Sequence, residues 1–118
     1  YFKRIRELGS EIHVRSIFLQ GLYFLNVNRL SDYFNPIKKD LKYINKIAED
    51  LNIDLLDLLI QFVLFNKMID KVIVGIDNIK QLKQIKKSSK KKNIYNKIYK
   101  SVKDIKVENK ELLNPSNW

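Results

Sequence analysis

Only two segments of the 118-residue chain read as β-strands, and two helical patterns lie between them. The first, Glu11 to Leu19, is rich in β-branched and aromatic residues, with Ile12, Val14, Ser16 and Phe18 on one face and Ile17 and Leu19 on the other. The second, Val72 to Ile76, is a short apolar run of the kind that parallel sheets bury on both faces. Strands joined through helices cross over and lie parallel, and a purely parallel sheet needs several strands covered by helices. Two strands do not complete such a sheet. The expectation is therefore the closing units of a larger α/β fold, either a (β/α)8 barrel or a doubly wound sheet. The chain has no Gly-x-Gly-x-x-Gly fingerprint, which weighs against a dinucleotide-binding open sheet.

The start of the chain points the same way. Tyr1 to Gly9 reads as the last turns of a helix, with Phe2, Ile5 and Leu8 at helical spacing and Gly9 suited to the left-handed residue that ends one. No capping residue or initiator methionine precedes it, so the expectation is a carboxyl-terminal piece of a longer protein, residues 1–118 forming part of one domain.

Between the strands, Gly21 to Phe34 reads as a long loop, and Asn35-Pro36 opens an amphipathic helix, Asn as cap and Pro at the first helical position, through about Leu51. Asn52 ends it and Asp54 caps the next helix, whose Leu55 to Phe65 run is apolar nearly all round and so buried on several sides. After the second strand, Asp77 or Asn78 caps a helix through about Lys87 with Ile79, Leu82 and Ile85 inward. Ile94, Tyr95, Ile98, Val102 and Ile105 mark a last helix, and a tail follows, anchored by Trp118.

Composition removes several function classes. With 45% hydrophobic residues the chain can build a core, and its longest apolar run is broken by Asp57 and Gln61, so no membrane span is expected. No secretory leader is recognisable, which leaves a cytoplasmic setting as the expectation. Zero cysteines exclude disulfides, thiolate metal sites and cysteine nucleophiles. The net charge of +10 is diffuse except at Lys86-Lys87-Ser88-Ser89-Lys90-Lys91-Lys92, which reads as a solvated linker without interleaved aromatics. An alternative reading makes that segment the contact of a small basic helical module for nucleic acid or a protein partner; nucleic acid is the less expected. His13 reads as a packed or edge histidine with no acid beside it, no metal site is expected, and Tyr33, Tyr43, Tyr95 and Tyr99 lack the Lys and His partners that would make one catalytic.

In α/β proteins ligands gather beyond the carboxyl ends of the parallel strands. Here those ends carry Ser16-Ile17-Phe18-Leu19-Gln20-Gly21-Leu22 and Val72-Ile73-Val74-Gly75-Ile76-Asp77. With Ala48-Glu49-Asp50-Leu51-Asn52, Leu58 to Leu64 and Gln81-Leu82 in the same order, these segments resemble the carboxyl-terminal part of the aldo/keto reductases over nearly the whole chain. The resemblance implies the last two βα units of a (β/α)8 barrel, with NADP(H) or NAD(H) and a small carbonyl substrate as partners of the complete protein. It implies that Ser16, Phe18 and Gly21 lie along the cofactor pyrophosphate, that Gly75 is the glycine ending strand eight, and that Asp77, Gln81 and Gln84 face the adenosine. The family's catalytic Asp, Tyr, Lys and His come from earlier strands, so no catalytic residue is expected here and the chain alone is expected to be inactive. Against the family pattern, Ile17 stands for a proline, Gln84-Ile85 for Glu-Asn, and Asp77 puts an acid where an adenosine phosphate would lie. Lys80 and Lys83, one turn on, are expected to offset that acid.

Overall fold

Helices carry this chain, and its sheet is minimal: a computed structural model describes residues 2–118 as an α/β fold with five α-helices and one pair of two-residue parallel strands. Helix α1 spans Phe2–Glu7, and Tyr1 lies outside the described residues. Its end is the expected glycine stop: Gly9 has φ 72°, Ser10 N–H donates to the Ile5 carbonyl and Gly9 N–H to that of Arg6. Strand β1 is His13–Val14 and β2 is Lys71–Val72, with His13 opposite Lys71 and Val14 opposite Val72. Asp70 ties this corner together. Its Oδ1 accepts from Arg6 Nη2 at 2.6 Å and its Oδ2 from the Ile12 amide at 2.8 Å.

The first strand is shorter than its alternation predicts, and packing is the reason. Beyond Val14 no second neighbour would satisfy an extended backbone, whereas Phe18 packs against the core of Ile47, Leu58 and Ile98, and Leu22 is buried beside Ile37, Leu41 and Leu112. The chain therefore reverses at Ser16 and continues as 3-10 turns over Leu19–Phe24, Val27–Arg29 and Asp32–Phe34, where a loop was expected. β2 ends equally early, with Ile73 N–H donating to the Val14 carbonyl as its last ladder bond.

Helix α2, Asn35–Asp50, grows directly out of the third 3-10 turn, so Asn35 is already helical and not a cap; its side chain instead donates to Asp32 Oδ1. Asn52 ends this helix as predicted, in the left-handed region at φ 52°, with Ile53 N–H reaching back to the Ala48 carbonyl. Asp54 holds the cap position of α3, Leu55–Leu64, without a side-chain cap bond. Helix α4 is Ile79–Ser89 and α5 is Tyr95–Val102, whose Ile98 has no exposed surface. α2, α3 and α5 enclose the main core; Trp118 stacks edge-on to Phe34 at 5.2 Å and donates to the Leu112 carbonyl, anchoring the tail as expected. Among the described residues no helix is long and apolar enough to cross a membrane.

Two inward assignments are corrected. Ile79 and Leu82 are 71% and 47% exposed, because no element among the described residues covers that side of α4, and only Ile85 is half-buried. Ile73 and Ile76 are exposed as well, so the apolar residues around β2 and the start of α4 form an uncovered surface.

Candidate cofactor-side cleft

The two strands run in the same direction, so both carboxyl ends open on the same side. A cleft of about 960 Å³ lies there, and Ser16, Phe18, Gly21, Gly75, Asp77, Gln81 and Gln84 all line it. One wall comes from the reversal after β1. Ser16, Leu19 and Gln20 have φ of 59°, 44° and 49°, and Gly21 has φ 85°. Three non-glycine residues in the left-handed region cost roughly 1–2 kcal/mol each, a strain that the packing of Phe18 and Leu22 into the core holds in place. The turn is held by Leu19 N–H on the Ser16 carbonyl and Gly21 N–H on that of Phe18, both at 2.9 Å.

Arg15 and Gln20 line the same wall, together with the aromatic pair Phe18 and Phe24, 5.6 Å apart. Arg15 is exposed and makes no ion pair among the described residues. Sequence reading passed over it, although a basic residue directly before the strand-end serine was a visible sign. Asp54, Leu55 and Leu56, from the start of α3, also reach the cleft. No local pattern announces them, since only the tertiary fold brings α3 beneath the strand ends.

The opposite wall is the start of α4. Asn78 caps it, its side chain accepting from the Gln81 amide at 3.0 Å. Gln81 returns the contact one residue further out: its Oε1 accepts from the Asp77 amide at 2.7 Å and its Nε2 donates to Asp77 Oδ2 at 3.3 Å. This reciprocal arrangement satisfies the Gln81 and Asp77 amides from within the helix start. Gln84 and Ile85 continue the face that lines the cleft, whereas Lys80 and Lys83 lie off it, so they do not offset Asp77 within the cleft. At Gly75 an added Cβ would meet nothing within 4 Å and φ is not positive, so neither packing nor backbone strain demands a glycine there.

The lysine segment is not a free linker. A second cavity, about 510 Å³, has Asp57, Gln61, Lys91 and Lys92 in its wall, and it holds none of the residues predicted to bind a cofactor. Asp57 is buried and accepts from Lys91 Nζ, which holds the lysine above its ordinary pKa. Gln61, 1% exposed, donates to the carbonyls of Ser88 and Lys91 and accepts from the Ile94 amide. Lys86, Lys87, Lys90 and Lys92 stay exposed.

His13 is the expected edge histidine, on a strand of the two-stranded sheet, but it does have an acid beside it. Its Nε2 lies 2.7 Å from Glu11 Oε2, which also accepts from Lys71 Nζ at 2.7 Å; the lysine and the histidine together hold the Glu11 carboxyl below its usual range. All three side chains are on the surface, away from the cleft. No protein-family model, curated protein or solved structure matches this chain.

Proposed function

We propose that the chain contributes the cofactor side of a nicotinamide-dependent, aldo/keto reductase-like barrel and carries none of its catalytic residues. One observation carries the reading: seven residues chosen from sequence, spread from position 16 to position 84, line a single cleft at the carboxyl ends of two parallel strands. Ligands of α/β proteins collect at that place. The residues also fit the group. The volume lies in the range of ligand sites, roughly 300–1,000 Å³. Arg15 supplies an unpaired cation for a diphosphate, Phe18 and Phe24 an apolar platform, and Gly75 open space where a side chain would stand.

The cofactor, when bound, supplies the hydride for carbonyl reduction. This chain's residues bind and orient it: Arg15 and the Ser16 to Gly21 turn on the diphosphate, Gln84 and the Asp77–Gln81 pair on the adenosine. The uncovered surface at Ile73, Ile76, Ile79 and Leu82 suits the same reading, because the strands and helices of a complete barrel would cover it.

The gene tests this. An in-frame segment of about two hundred residues upstream of Tyr1, by the usual size of such barrels, with Asp, Tyr, Lys and His on successive strands, is the expected outcome. A stop codon just upstream, with salt-sensitive retention of the chain on polyanions, contradicts it and favours the basic-module alternative.

A further inference from the structure

We infer that Asp77 makes this cleft selective for the dinucleotide without a 2′-phosphate, NAD(H), over NADP(H); the inference rests on the cofactor reading above. The charges lining the cleft are Arg15 on the β1 side and two carboxylates, Asp54 and Asp77. Arg15 is the one cation among the described residues that line it, and on the cofactor reading the diphosphate takes that cation. At the α4 side there is no second positive group to meet a further phosphate. Lys80 and Lys83 are not among the residues that line the cleft.

What the α4 side does offer is an oriented acceptor. Gln81 holds Asp77 by both ends, through the Asp77 amide at 2.7 Å and Oδ2 at 3.3 Å. Oδ1 of Asp77 has no hydrogen bond among the described residues. A carboxylate so placed accepts a hydrogen bond from a ribose hydroxyl, as acidic residues do in NAD sites generally, and repels a phosphate on the same oxygen. The remaining donors of the helix start are partly spent, because the Gln81 amide bonds Asn78.

The test titrates the ¹⁵N-labelled chain with NADH and with NADPH and follows the amides of residues 15–21 and 75–84. At about 0.15 M salt the general attraction between a +10 chain and the more highly charged NADPH is screened beyond roughly 8 Å. NADH is expected to bind about tenfold more tightly than NADPH, and Asp77→Asn to bring the two affinities together. Asn keeps an oxygen for Gln81, and Asp77 is exposed, so the fold survives the change; Asp77→Ser gives the same comparison without the amide. Equal affinities in the unmodified chain, tighter NADPH binding, or an unchanged ratio in both variants overturns the inference while leaving the cofactor reading standing. Absence of shifts with both nucleotides at millimolar concentration overturns the cofactor reading itself, and the inference with it.

Discussion

Lys91 reaches across 34 residues of sequence to place its ammonium on the buried carboxylate of Asp57. The two partners are unequal: the Lys91 side chain is 42% exposed and that of Asp57 only 6%. If the carboxylate is removed, the lysine swings into water; if the lysine is removed, a charge stays buried with no partner. Asp57→Asn is therefore expected to cost about 1 kcal/mol, and Lys91→Met more than that. Urea midpoints of the two variants check the order, and the reverse order would show that the carboxylate is hydrated.

The same pair sets an alkaline limit. The hydrogen bond to Asp57 raises the folded-state pKa of Lys91 above its unfolded value, about 10.4. Its stabilisation is thus complete below that pH and is lost as pH rises through the folded-state value. Burial raises the Tyr23 hydroxyl and acts with the same sign. Denaturation midpoints are expected to hold up to about pH 10 and to fall above it, less steeply in Lys91→Met and less steeply again when Tyr23→Phe is added.

Gln61 and Ser88 are both 1% exposed yet differ in what they satisfy. Gln61 serves three backbone groups, at 3.3, 3.4 and 3.3 Å, so Gln61→Leu is expected to cost about 2–3 kcal/mol and to speed hydrogen exchange at the Ile94 amide. The Ser88 hydroxyl has no hydrogen-bond partner among the described residues. Ser88→Ala is expected to be neutral or to stabilise by up to about 1 kcal/mol. Thermal melts of the two variants should move in opposite directions or leave Ser88→Ala unmoved.

The uncovered residues Ile73, Ile76, Ile79 and Leu82 are 54%, 44%, 71% and 47% exposed. A surface of this kind drives association. Sedimentation velocity is expected to show concentration-dependent association that Ile79→Lys with Leu82→Lys suppresses. A chain that stays monomeric at every concentration and melts cooperatively contradicts the fragment reading.

Helix stops were legible because each depends on one residue's backbone freedom. Gly9 and Asn52 both sit left-handed where the sequence put them. The helix patterns at residues 35–51 and 55–65 survive for a related reason: periodicity reports burial directly; the last helix is shorter than its pattern, Tyr95–Val102, with Ile94 and Ile105 outside it. Strand length was not legible. Alternation over residues 11–19 describes which side chains are apolar, whereas a strand also needs neighbours for its backbone, and only two residues have one. The same blindness made Ile79 and Leu82 inward, since an amphipathic stripe states a demand for cover that this chain does not supply. At the cleft, the turn residues and the start of α4 were readable from strand ends and caps. Asp54 to Leu56 and the docking of Lys91 on Asp57 were not, because they arise where distant segments meet.

The central claim is that a nicotinamide dinucleotide occupies the cleft between the Ser16 to Gly21 turn and the start of α4. Amide chemical shifts of the labelled chain during an NADH titration test it most directly. Saturable shifts confined to residues 15–21, 54–56 and 73–85, lost in Arg15→Ala and retained in Lys91→Met, are the predicted result. Shifts that centre on residues 86–92 and vanish as salt is raised would contradict it.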